Sequence, residues 1–295
     1  MATNGQAPRS GPGGGERRLI ISLSSIPSRF DKLGPTLNGL LRQEARVERI
    51  ELYIPKRYRR FPDWDGTLPE VPGGVDIVRC DDDLGPATKV LYAAKKYRGQ
   101  DDVDILLCDD DRRYKPHWAQ TYVEARKAHP EACLAIAGFE ADRYGQSAMK
   151  DRPKPRAKKR SRFWDLKFKA QMVWEYLFPP VERKYLREPV RRLFRQSGYA
   201  DCFEGFAGAM VKPDFFDDLA FDIPPVVWTV DDVWLSGHLA RRGVPIWIIA
   251  DQFDTQHTPA GISDALYLSE IEGADRDAAN KRCIAYFRET YGIWP

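Results

Sequence analysis

The sequence has no apolar run approaching the roughly 20 residues that a bilayer-spanning helix needs, which excludes an obvious membrane span. Residues 1–18 lack the apolar core of a signal peptide and consist mostly of Gly, Pro and polar residues, so they read as a disordered tail. Cysteine is scarce. Cys80, Cys108, Cys133, Cys202 and Cys283 are odd in number, scattered, and form no Cys-x-x-Cys pair. That pattern speaks against a disulfide framework and against a zinc site, and it suits a reducing cytoplasm. There are only four histidines and no internal repeat. What is present is a 43% hydrophobic content able to supply a sizeable core, and 30% charged residues able to cover it. The formal net charge of +3 conceals an asymmetry. Between Arg143 and Arg195 Lys and Arg exceed Asp and Glu by about a dozen charges, so the remainder is acidic on balance.

The first half of the chain alternates short apolar runs with helical patterns. Strands are expected at Leu19 to Ser24, Arg49 to Ile54, Val75 to Val78, Val103 to Cys108 and Ala132 to Ala137. Helices are expected over Asp31 to Gln43, Ala87 to Tyr97 and His117 to His129. This β-α-β rhythm predicts an α/β fold with a mostly parallel central sheet flanked by helices, whose ligands collect at the carboxyl ends of the strands. The region at about 145–200 interrupts it. Lys150 to Arg162 reads as a flexible basic loop, and Arg162 to Arg195 as one or two helices broken at Pro179-Pro180. Regular structure is expected again as a strand over Gly205 to Lys212, a helix over Val230 to Arg242, a strand over Pro245 to Ala250 and a helix over Ala278 to Tyr291. The reading is therefore one domain over 19–295 that carries a basic, aromatic insert.

The residues that could carry chemistry lie at the ends of these strands. Asp109-Asp110-Asp111 follows an apolar strand, and three adjacent carboxylates repel unless a cation or protons relieve them. Hard oxygen ligands of this kind suit Mg²⁺ or Mn²⁺; a solvated acidic turn is the plain alternative. Lys89 falls in the first turn of a helix after Asp83-Leu-Gly-Pro, where a cation opposes the helix dipole unless a phosphate or carboxylate is near. Its plain alternative is a solvated lysine, with Asp83 or Thr88 as cap. Ser24-Ser25-Ile-Pro-Ser-Arg29 is a small polar loop at the same sheet edge, able to approach a nucleotide with Arg29 near phosphate, or simply a connection. Gly205 and Gly208 allow either close approach to a ligand or a tight bend. Asp231-Asp232 opens a helix, either as a plain helix start with Thr229 or Asp231 as cap and acids in its first turn, or as a general base. His257 lies in a polar loop, as a ligand or as a surface imidazole.

Taken in order, these features from about Leu19 to His257 resemble glycosyltransferases of the GT-A fold, the nucleotide-diphospho-sugar transferase fold, and in particular the inverting family-2 type found in bacteria. The resemblance rests on the Asp-x-Asp motif at Asp109 to Asp111, the glycine loop at Gly205 to Gly208, the acidic pair at Asp231-Asp232 and the late histidine at His257. It implies a metal-dependent transfer of sugar from a nucleotide-sugar to a hydroxyl acceptor, glycan or lipid-linked, as in polysaccharide biosynthesis. It also implies Asp109, Asp111 and His257 as metal ligands and Asp232, beside Asp231, as base. Ser24, Ser25, Arg29, Asp83, Lys89, Asp109, Asp110, Gly205 and Gly208 would contact the donor. Two departures stand out. Ile54-Pro55-Lys56 replaces the aspartate that often reads the base, and Asp231 stands where glutamate is commoner. The alternatives are a nucleotidyltransferase, although Ser22 to Arg29 contains no glycine, and a non-catalytic protein that binds an anionic polymer. Nucleic acid is not expected as a partner, because the acidic sheet edge would repel its phosphates. In the insert, Phe163, Trp164, Phe168, Trp174, Tyr176 and Phe178 interleave with Lys and Arg. They suit peripheral contact with an anionic membrane through 150–195, at its cytoplasmic face. An anionic acceptor, or aromatics folded into the core of a solvated insert, would account for the same residues.

Overall fold

The computed structural model describes residues 17–144, 151–161, 163, 165–178, 190–264 and 276–295. The strands in chain order are β1 (Arg18–Ser24), β2 (Arg49–Pro55), β3 (Val75–Cys80), β4 (Val103–Leu107), β5 (Arg112–Arg113), β6 (Cys133–Ala135), β7 (Gly138–Phe139), β8 (Lys158–Lys159), β9 (Phe194–Gln196), β10 (Gly198–Ala200), β11 (Cys202–Phe203), β12 (Ala209–Val211), β13 (Ile246–Ile248) and β14 (Gln256–His257). The α-helices are α1 (Gly34–Leu40), α2 (Thr88–Tyr97), α3 (Trp118–Ala128), α4 (Leu166–Leu177), α5 (Asp231–Arg241) and α6 (Arg276–Tyr291).

Eight strands form the central sheet in the order β10-β13-β6-β12-β4-β1-β2-β3. β3, β2, β1 and β4 run parallel, as do β6 and β13, while β12 is antiparallel to both β4 and β6 and β10 closes the edge antiparallel to β13. The expected α/β architecture, a mostly parallel sheet with helices on its two faces, is the observed one. Strands covered on both sides must be apolar along their whole length, and β4 (Val-Asp-Ile-Leu-Leu) is buried at every position. Its one acid, Asp104, is neutralised by Arg126 (2.9 Å) and Arg17 (2.6 Å). β2 alternates in sequence as if one face met water, yet only Arg49 is exposed. Glu51 is wholly buried there because the hydroxyls of Tyr53 and Tyr97 (each 2.7 Å) and the Lys96 ammonium (2.5 Å) satisfy it.

Several expected elements differ in detail. Asp31 to Gln43 is not one helix. Residues Pro27–Lys32 form a 3₁₀ turn, and α1 begins afresh at Gly34, because Pro35 fits the first turn of a helix and not its interior. Gly205 to Lys212 is not one strand either. Gly205–Ala207 is a 3₁₀ turn, and Gly208 turns the chain at φ 104° before β12 starts. The tail expected over 1–18 ends sooner, since Arg18 opens β1 and Arg17 pairs with Asp104; residues 1–16 lie outside the described ones. In the insert, residues 151–161 are pinned. Arg152 and Arg156 pair with Glu140 and Asp201, and Lys158–Lys159 pairs with β9. Trp164 and the break at Pro179-Pro180 lie outside the described residues. Among the described residues no helix is long and apolar enough to cross a membrane.

α5 and α6 pack where Gly237 faces Phe287. A Cβ built on Gly237 would stand 2.2 Å from the Phe287 ring. Glycine inside a helix ordinarily costs about 0.5–1 kcal/mol relative to alanine, so Gly237→Ala on propensity alone would stabilise. Here the sign reverses, and the substitution is expected to cost about 1–3 kcal/mol through overpacking. A midpoint of chemical denaturation at or above that of the unsubstituted protein would contradict this packing.

Candidate active site

β4 delivers Asp109, Asp110 and Asp111 at its carboxyl end, and each carboxylate meets a different environment. Asp109 accepts a hydrogen bond from the Lys89 ammonium at 2.5 Å. Burial disfavours its charge, but Lys89 outweighs burial and holds the carboxyl below its usual range. Lys89 itself is 4% exposed and also stands 3.6 Å from Asp231. The solvated-lysine reading therefore fails, because the first turn of α2 points its cation under the acidic cluster.

Asp110 is buried, accepts from the Ser25 hydroxyl, and accepts from Arg29 at 2.7 Å. Burial raises its pKa to about 6 in spite of Arg29. Arg29 thus spends its guanidinium on Asp110, on Asp111 at 3.3 Å and on the Ser263 carbonyl at 2.9 Å. The loop Ser24 to Arg29 buttresses the acids as much as it lines the cleft.

Asp111 differs from its neighbours. Its Oδ1 is buried and accepts no hydrogen bond, facing only the Arg112 Nε at 3.7 Å. The two-stranded ribbon of β5 and β14 pairs Arg112 with His257, and the Thr258 N–H donates to the Asp111 carbonyl at 2.8 Å. His257 is thereby brought beside Asp111 from far along the chain. Gly261 leaves a hollow between them, where a Cβ would stand 3.1 Å from His257 Nδ1 and 3.4 Å from Asp111 Oδ2. Asp111 thus has one carboxylate oxygen without a hydrogen bond, and its other oxygen lies across that hollow from the His257 imidazole; carboxylate and imidazole donors fit a divalent cation in their chemistry. Among the described residues no three His, Cys, Asp or Glu side chains are grouped as a complete ligand set.

The acidic pair opens α5, whose cap is Val230, without a side-chain hydrogen bond, so neither Thr229 nor Asp231 caps it. Asp232 accepts from the Gly205 N–H at 2.9 Å and stands 3.8 Å from Arg276. Burial, then the charge of Asp231, pushes the Asp232 carboxyl well above its usual range; Asp231 is raised too, by burial. A Cβ on Gly205 would lie 3.0 Å from the Asp232 carboxylate, which explains the glycine there.

These groups share one cleft of about 290 Å³, whose walls include Ser24, Ser25, Arg29, Asp83, Asp109, Asp110, Asp111, Asp231, Asp232 and His257. Lys89 and Gly205 support Asp109 and Asp232 from outside those walls. Gly208 does not join the site, and its Cα packs against Trp118 and Tyr122 instead. Asp83 lines the cleft while accepting the Arg59 and Gly85 N–H groups, each at 2.9 Å.

No family model and no curated protein matches the chain. Solved structures of S. aureus TarS resemble it at low levels. The crystal structure of TarS 1-349 in complex with UDP matches with TM-score 0.40 and 12% identity, over 81% of this chain and 59% of that one. The crystal structure of TarS 1-349 gives 0.42 and 11%, over 93% and 72%, and the complex with UDP-GlcNAc 0.41 and 11%, over 81% and 57%. At such scores the reading of function falls to the site itself.

Sequence reasoning missed Arg60, Arg112, Phe206, Trp228 and Arg276, which also line the cleft. Trp228 was within reach, standing three residues before Asp231; its indole N–H donates to the Asp83 carbonyl at 3.1 Å. Arg60 and Arg276 sit in charged stretches with no distinguishing pattern. Burial lowers the pKa of Arg60.

Proposed function

We propose that this cleft transfers a sugar from a nucleotide-sugar to a hydroxyl acceptor, glycan or lipid-linked, with inversion at the anomeric carbon. The observation that carries the reading is Asp232. It is a half-buried carboxylate of raised proton affinity, fixed by a backbone N–H, in the same cavity as Asp111 and His257. A general base works best when its pKa lies near the operating pH, and a raised carboxylate moves in that direction. Asp232 takes the proton of the acceptor hydroxyl as that oxygen attacks the anomeric carbon, and no covalent intermediate is formed. The arginines of the cleft, Arg29, Arg60, Arg112 and Arg276, counter the charge of the diphosphate. Asp111 and His257 would hold Mg²⁺ or Mn²⁺. Asp109, whose Oδ1 is already bonded to Lys89, would join that cation only through its second oxygen. When bound, the cation supplies Lewis-acid neutralisation of the departing nucleoside diphosphate. A reducing cytoplasm suits five cysteines that are all free and buried.

A panel of UDP-, GDP- and dTDP-sugars with Mn²⁺ or Mg²⁺, scored for released nucleoside diphosphate and for thermal shift, tests the assignment; no release and no shift with any donor would sink it. The metal has its own test. Loss of groups that merely orient metal ligands costs about 10–100-fold in affinity, so Asp111→Ala or His257→Ala is expected to weaken nucleoside diphosphate binding in Mn²⁺ at least about tenfold. In excess chelator the variants and the unsubstituted protein should bind alike. A loss of the same size in chelator would take both residues off the metal.

A further inference from the structure

Helix α4 is the least covered helix described, and its pattern is not that of a helix meant for the core. Leu166, Ala170, Val173, Trp174 and Leu177 recur at the spacing of one helix face. That face looks into solvent, with Leu166 75%, Trp174 63% and Leu177 61% exposed. Helix α4 is nonetheless capped, and its opposite face touches the rest of the molecule. Asp165 caps it by accepting the Phe168 N–H at 3.0 Å, and Phe168, on the opposite face, is half-buried beneath the Arg191 guanidinium. An apolar stripe presented outward by a capped, docked helix marks an interaction surface rather than a packing defect.

Charge decides what kind of surface it fits. Lys167 and Lys169 flank the stripe on either side and are exposed, as are Lys158 and Lys159 in β8 of the same insert. Lysine next to exposed Trp and Leu is the composition of a helix lying in the headgroup region of a bilayer, its apolar face among acyl chains and its cations among phosphates. A core-like partner would leave those lysines to be desolvated without counter-charge.

We infer that α4 docks the protein on an anionic lipid bilayer, the stripe from Leu166 to Leu177 entering the interface and the flanking lysines binding lipid phosphates. The insert meets the rest of the molecule at the segment leading to His257. The Asp254 N–H donates to the Arg191 carbonyl at 2.9 Å, the Leu193 N–H to the Gln252 carbonyl at 3.3 Å, and Arg160 pairs with Asp251 at 3.1 Å. Lipid docking through α4 therefore bears on the strand that carries His257 and favours an acceptor held at the membrane surface. The docking itself stands on α4 alone and does not rest on the proposed chemistry.

Co-sedimentation of the full chain with phosphatidylglycerol-containing vesicles, against pure phosphatidylcholine, tests it. Binding is expected to the anionic vesicles only, and to fade as salt shortens the screening length from about 10 Å at 0.1 M to about 3 Å at 1 M. Trp174→Glu combined with Leu177→Glu should weaken binding more than about tenfold, because the apolar stripe supplies the insertion. The thermal midpoint and the shift produced by nucleoside diphosphate should stay unchanged, which separates a failure here from a failure of the proposed function. Equal binding by that variant, equal binding to neutral vesicles, or no binding at all would overturn the inference. So would concentration-dependent dimerisation that the same variant abolishes, since a second copy would then cover the stripe.

Discussion

Asp232→Asn is expected to abolish sugar transfer while leaving nucleotide affinity nearly intact. The substitution is close to isosteric, and the amide oxygen can still accept the Gly205 N–H that Asp232 accepts at 2.9 Å, so the α5 terminus should keep its place. What disappears is the ability to take a proton, a loss of typically ~10²–10⁴ in rate for a general base. The pH profile offers a second reading of the same group. The base must be ionised to act, so activity should rise with pH through the pKa of Asp232. Burial, joined by the neighbouring Asp231, sets that pKa well above its usual range. The acidic limb of kcat/KM should therefore lie at a pH distinctly higher than the ~3.9 of an ordinary aspartate. A limb near the ordinary value, or equal loss of transfer and nucleotide binding in Asp232→Asn, would remove Asp232 from this role.

The second large effect is expected at Lys89, and it is one of stability. Burial works against the Lys89 ammonium, yet Asp109 and Asp231 together hold its pKa above the usual value. Lys89→Met keeps much of the volume and deletes the charge, leaving Asp109 and Asp231 to face one another without it. Breaking a buried pair typically costs 3–5 kcal/mol. Because the Asp109 side chain is 29% exposed, solvent offsets part of this, and a loss of about 3 kcal/mol is expected. Adding Asp109→Asn should restore a substantial part, since neutralising one carboxylate relieves the other. A Lys89→Met protein within about 1 kcal/mol of the original in chemical denaturation would mean that the ion pairs are not coupled to folding.

Much of this organisation could be read from the chain. β1 and β4 are legible because strands buried on both faces leave dense apolar runs, broken only by Ser22 in β1 and Asp104 in β4, and three aspartates directly after such a run mark the ligand edge of the sheet even though a solvated turn would share that pattern. The acidic pair is legible because α5 begins where Asp231 does. The ribbon of β5 and β14 is not legible, since strands of two residues have no period to detect. Yet that ribbon is what carries His257 to Asp111. Lys89 shows the same limit in another form. Its sequence neighbours do not reveal that the first turn of α2 lies beneath the end of β4, so a buried, doubly paired cation looks like a solvated one. Arg60 and Arg276 are illegible for a simpler reason, in that arginine is common and only position distinguishes these two.

Ala135 at the end of β6 pairs directly with Ala209 at the start of β12, and between these neighbours the described chain rejoins the sheet only as β10, at its edge beside β13. In topological terms the stretch from Ala135 to β10, with its basic helix, is one long connection within the sheet. Loop-closure entropy grows only with the logarithm of length, about 0.6 kcal/mol for each doubling. The part of that connection around α4, outside the pairs of β7 with β11 and β8 with β9, could therefore be shortened, lengthened or exchanged with little consequence for the sheet. The fold thus has a socket beside its cleft, and the module seated there can change what the cleft is brought up against while Asp109 to Asp111 and Asp232 stay where they are.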